Sequence, residues 1–114
     1  MVLKILLDEC LPRKLKRELT DYEVKTVQEA GWASKRNGEL LRLMTGVFDV
    51  FITVDGNMSY QQNFEGLPIR FIVLVAYNNR IESLLPLMPR VREALLTIQA
   101  GQMIVIDIEN QSPE

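Results

Sequence analysis

The sequence predicts an α/β domain built on a central, mainly parallel sheet with helices on both faces. Three observations predict it. Apolar runs of strand length alternate with stretches whose leucines recur at helical spacing, the order expected of βα units. The strand-like runs are apolar almost throughout rather than at every second residue, as in strands buried on both faces. The first and third of them each run straight into an acid, Asp8 and Asp55, at the sheet edge where ligands of such folds bind.

Residues 2–7 read as the first strand. Pro12 suits the first turn of a helix, and Leu11, Leu15 and Leu19 predict an amphipathic helix over 12–19. Residues 22–27 form the second strand and 29–36 a loop. Asn37 is a natural N-cap for a short helix carrying Leu40, Leu41 and Met44 that ends near Gly46. The third strand covers 49–54, and Asp55-Gly56-Asn57 is a turn signal. The polar stretch 58–66 fits a loop or a short helix, and the fourth strand covers 69–75. Asn78-Asn79 marks a loop before a short turn with Ile81, Leu84 and Leu85. Pro89 opens the last helix, on which Val91, Ala94, Leu95 and Ile98 share a face, and Gly101 stands where its C-terminal cap belongs. A fifth strand over 103–108 closes a single domain, 1–108, followed by a disordered tail over 109–114.

Composition narrows the chemistry. There is no histidine among the 114 residues, which removes Ser-His triads, imidazole general bases and most zinc sites together. One cysteine, Cys10, excludes an internal disulfide, and its company of five methionines suits a reducing cytoplasm. Without a histidine to activate it, Cys10 reads as a small buried residue rather than a nucleophile. The apolar start is too short for a secretory signal, and the longest apolar run, 71–77, is far short of a membrane span. The net charge of −2 argues against broad, non-specific binding of nucleic acid, though not against a local basic patch.

The acids carry the functional reading. In a parallel sheet Asp8 and Asp55 share one edge, and Glu39 reaches it if its helix starts there. With Asn57 they make an all-oxygen set, the kind that Mg²⁺ or Mn²⁺ prefers. Such ions activate water and offset charge on a phosphate during hydrolysis. Each acid also has an ordinary explanation, since Asp and Glu favour turns and helix starts. It is their joint placement that points to a metal site, with Glu9 and Thr53 beside the ligands. Arg13, Lys14, Lys16 and Arg17 on the first helix, and Lys35 with Arg36 before Glu39, offer phosphate contacts or simply a solvated face. Trp32 is a core anchor or a platform for a base. The run Tyr60-Gln61-Gln62-Asn63 lines a substrate groove or braces the Asp55 loop.

Several stretches together resemble a bacterial group of short PIN-like proteins: 6–13 (Leu-Leu-Asp-Glu-Cys-Leu-Pro-Arg), 26–32 (Thr-Val-Gln-Glu-Ala-Gly-Trp), 37–41 (Asn-Gly-Glu-Leu-Leu) and 51–63, which opens Phe-Ile-Thr-Val-Asp. The resemblance runs from residue 3 to about 106. It implies a three-layer α/β/α sandwich and a Mg²⁺- or Mn²⁺-dependent endoribonuclease, the toxin of a toxin–antitoxin pair with a small antitoxin partner. It places the metal ligands on Asp8, Glu39 and Asp55, with Asn57 where the family often has a further acid. An amide ligates without charge, so a one-metal or weakened nuclease, or a module that binds RNA or antitoxin without cutting, is the alternative. Glu9 and Thr53 would orient the ligands, and Arg13, Arg17 and Lys35 would contact RNA. PIN-like proteins often form homodimers, and the apolar face of helix 89–100 suits either a second copy or the sheet.

Overall fold

A computed structural model describes residues 3–35, 37–54 and 67–107. Five strands form one sheet: β1 (Lys4–Leu7), β2 (Glu23–Thr26), β3 (Val50–Thr53), β4 (Arg70–Val75) and β5 (Met103–Asp107). Their order is β2-β1-β3-β4-β5, and every neighbouring pair is parallel. Between them come a 3₁₀ helix η1 (Arg13–Leu19), α1 (Asn37–Met44), α2 (Ile81–Leu84), a short 3₁₀ turn η2 (Leu85–Leu87) and α3 (Met88–Leu95).

The period of two along each strand sorts the core into two layers. Ile5 and Leu7, Val50 and Ile52, Ile72 and Leu74 face one way, packing on Leu15 and Leu19 of η1 and on Leu84, Leu87, Val91 and Leu95 of the C-terminal helices. Leu6, Phe51 and Phe71 face the other way, onto Leu40, Leu41 and Met44 of α1. Ile5, Leu6 and Leu7 are all fully buried, so β1 is covered on both sides as its composition predicts. Helices on both faces of a parallel sheet make the three-layer α/β/α arrangement.

Three details differ from the expected elements. The segment after Pro12 winds as a 3₁₀ helix rather than an α-helix, opened by Leu15 N–H donating to the Pro12 carbonyl at 3.1 Å. Seven residues is long for that geometry, and the burial of Leu15 and Leu19 holds it in place. The last helix stops at Leu95. Gly101 is therefore not its cap: with φ +86° it turns the chain into β5, and its N–H donates to the Ile69 carbonyl at 3.1 Å. The apolar face of that helix lies on the sheet, with Val91, Leu95 and Ile98 buried, and so does not form a surface for a second copy. No helix among the described residues is long and apolar enough to cross a membrane.

Gly46 ends α1 as expected. Its φ is +86°, and the N–H groups of Val47 and Phe48 both return to the Met44 carbonyl, at 2.9 and 2.8 Å. Among the described residues nothing lies within 4 Å of the position a Cβ would take there, so Gly46→Ala meets backbone strain. It is expected to cost about 1 kcal/mol in urea denaturation.

Candidate active site

The strand order reverses between β1 and β3: the chain leaves β1 for β2 on one side and then returns past it to β3 on the other. In open α/β sheets the carboxyl ends of the strands at such a reversal are where ligands bind. Asp8 follows the last residue of β1, and Thr53 is the last residue of β3. The ladder continues one step beyond β1, because Asp8 N–H donates to the Ile52 carbonyl at 2.9 Å. That bond places the two side chains together: Thr53 Oγ1 donates to Asp8 Oδ2 at 2.6 Å. Glu9 N–H donates to Asp8 Oδ1 at 2.8 Å. Asp8 is 8% exposed and Thr53 is fully buried. Each Asp8 oxygen thus has a defined direction.

Glu39 sits in the first turn of α1. Because β2 and β3 run parallel, α1 must return from the carboxyl edge to the amino edge, so its first turn stands on the same edge as Asp8. It also covers the face to which Leu6 belongs, and Asp8 shares that face by the period of two. Glu39 is exposed and pairs with Lys35, Nζ to Oε2 at 3.6 Å. Asp55, Asn57 and the stretch 60–63 lie outside the described residues. Among the described residues no three acids, cysteines or histidines form a group that would hold a metal. Asp8 and Glu39 supply the oxygen chemistry that suits a hard cation, and the fit of a complete ligand set rests on Asp55.

The neighbouring residues divide in function. The Glu9 carboxylate accepts from Ser34 N–H at 3.2 Å, while its carbonyl accepts from Gln28 Nε2 at 3.2 Å. It braces the loop ahead of α1, where Ser34 has φ +75°. Cys10 is half-buried, and its thiol is pushed up chiefly by that burial and secondly by the Asp8 carboxylate; the Val54 N–H and the neighbouring Thr53 side chain offset part of this. The thiol form is favoured, which agrees with a packing role rather than a nucleophile. Trp32 is partly buried against the α1-side core and meets Phe48 edge-on at 5.8 Å, the anchor of the two expected roles.

Arg17 is exposed and forms no ion pair among the described residues. Arg13 leans toward Glu29, Nη1 to Oε2 at 4.0 Å, with its side chain 75% exposed. Lys16 is the stronger partner of Glu29, at 2.9 Å. Glu29 belongs to a feature absent from the sequence reading, although Thr-x-x-Glu is its signature. Thr26 N–H donates to Glu29 Oε1 and Glu29 N–H donates to Thr26 Oγ1, both at 3.0 Å. This capping box closes the turn after β2. The Thr26 N–H and then Lys16 hold the Glu29 carboxyl below its ordinary value of 4.5. A lowered folded-state value gives stability that is fully present above about pH 4.5 and is lost as pH falls through the folded value. The stability gap between wild type and Glu29→Gln is therefore expected to narrow below pH 4.5 in acid titrations followed by circular dichroism.

The fold and this edge define an all-parallel α/β domain with a buried, oriented carboxylate at its topological reversal. Comparison with family models, curated proteins and solved structures finds no match to this chain.

Proposed function

We propose that the protein is a metal-dependent endoribonuclease of the PIN-like type, acting as the toxin of a toxin–antitoxin pair, with Mg²⁺ or Mn²⁺ held by Asp8, Glu39 and Asp55 and more weakly by Asn57. The observation that carries the reading is Asp8. An ordinary turn aspartate sits in water, whereas this one is buried at the strand reversal with Thr53 and Glu9 N–H directing its oxygens. A divalent ion, when bound, supplies charge beside the scissile phosphate and a more acidic water. The chain's own contribution is to hold the carboxylates and the RNA. Thr53 keeps Asp8 in one rotamer, Glu9 braces the loop that leads to Glu39, and Arg13, Arg17 and Lys35 meet phosphates. The ion pairs of Arg13 and Lys35 are exposed and weak, so they exchange readily for a phosphate.

A second reading is a non-cutting module that binds RNA or an antitoxin. Asn57 supports it, because an amide brings no charge, and so does the engagement of Glu39 by Lys35. RNA cleavage with Mn²⁺ and calorimetric titration with Mn²⁺ separate the two. Cleavage by the wild type together with Mn²⁺ binding is expected. RNA binding with neither Mn²⁺ binding nor cleavage overturns the nuclease in favour of the module.

A further inference from the structure

The carboxyl edge carries a second feature that the acids do not use. An open groove of about 550 Å³ runs between Pro12, Arg13 and Lys14 on one wall and Arg80, Ile81 and Glu82 on the other. These walls follow β1 and β4, the strands that flank β3. Both walls belong to the layer of η1 and the C-terminal helices, on the sheet face opposite to that of Leu6 and Phe51. Two adjacent carboxamides fix its shape. Asn79 Nδ2 donates to the Cys10 carbonyl at 3.0 Å and ties one wall to the other. Asn78 Oδ1 accepts from Arg80 N–H at 2.9 Å, an Asx turn that sets where Arg80 leaves the backbone.

The charge of the groove is opposite to that of the chain. Three cations face one acid, although acids outnumber lysine and arginine by 15 to 13 overall. Among the described residues Lys14 and Arg80 form no ion pair, and Arg13 has only its long contact with Glu29. The volume falls within the roughly 300–1,000 Å³ of clefts that hold one small molecule. That leaves room for a nucleotide or two of a strand.

We infer that this groove carries the phosphodiester backbone of single-stranded RNA, with Lys14 and Arg80 as its phosphate contacts. Ile81 and Pro12 give the sugars an apolar bed between the charges. The inference rests on the RNA reading above but not on cleavage.

The test is fluorescence anisotropy with a short unstructured RNA in EDTA, over a salt series, with wild type, Lys14→Ala, Arg80→Ala and Arg42→Ala. Arg42 is exposed in the last turn of α1, toward the opposite sheet edge, and removes the same charge. Each groove variant is expected to weaken binding about threefold to tenfold and to lower the log–log salt slope by about 0.7. Arg42→Ala leaves both nearly unchanged, and Arg80→Lys keeps most of the slope. Equal weakening by Arg42→Ala and Arg80→Ala, or a wild type that does not bind the RNA, overturns the groove. A wild type that binds through the groove but never cleaves with Mn²⁺ sinks the nuclease and leaves the groove standing. A wild type that cleaves while Arg80→Ala changes neither affinity nor slope does the reverse.

Discussion

Replacing Asp8 by asparagine is expected to lower Mn²⁺-dependent RNA cleavage by at least about a hundredfold while leaving the fold intact. On the metal reading the change removes the charge of a ligand at the reacting centre, and the size is set by analogy with the roughly 10²–10³ lost when one oxyanion-hole donor is removed. Asparagine keeps the shape and still accepts from Glu9 N–H or the Thr53 hydroxyl, so its effect on stability is small. Alanine is the harsher change. It removes the carboxylate to which the buried Thr53 hydroxyl and the half-buried Glu9 N–H donate, which costs about 1–3 kcal/mol. Comparing the two separates chemistry from folding. Thr53→Val keeps the volume and removes the donor that aims Oδ2, and is expected to cost about tenfold in cleavage with Mn²⁺ affinity falling in step. Wild-type cleavage by Asp8→Asn would overturn the metal reading.

Much of this edge was legible in the sequence, and the part that was not has a physical explanation. A parallel sheet follows from buried strands such as Ile5-Leu6-Leu7, because burial on both faces leaves composition little freedom. From that alone Asp8 lands at the carboxyl end, and its neighbour Thr53 can be guessed from the matching position on the third strand. Glu39 reaches the same edge because a helix between parallel strands must start there. The hydrogen-bond register was not legible: it takes the ladder step from Asp8 N–H to Ile52 to bring Thr53 onto Oδ2. The direction of Glu9 was not legible either, since its partner Ser34 is 25 residues away. The groove was missed for a similar reason. Arg80 is one charge in a loop-like string, and only the packing of two distant segments sets it opposite Lys14. The winding of η1 and the early stop of α3 were misread because leucine spacing reports burial, which a 3₁₀ turn and a longer helix satisfy alike.

Phe51→Ala is expected to destabilise the protein by about 3–5 kcal/mol, read from the urea midpoint and slope. Phe51 is fully buried on the central strand. It packs edge-on against Phe71 at 5.6 Å and belongs to the α1-side core with Leu6, Leu41 and Met44. A domain's whole stability is only about 5–15 kcal/mol, so this one cavity consumes a large share. Phe51 also lies two residues before Thr53 on the same face, which puts the cavity under the Asp8–Thr53 pair. Packing and register act differently on that pair. The position of Asp8 is set by backbone bonds between β1 and β3, above all Asp8 N–H to Ile52 at 2.9 Å, and not by the ring. Phe51→Leu, which fills most of the space, is therefore expected to lose stability yet cleave RNA within about threefold of wild type well below its melting temperature. A loss of cleavage by Phe51→Leu as deep as that of Asp8→Asn would show that the ring, rather than the ladder, holds the carboxylate in place.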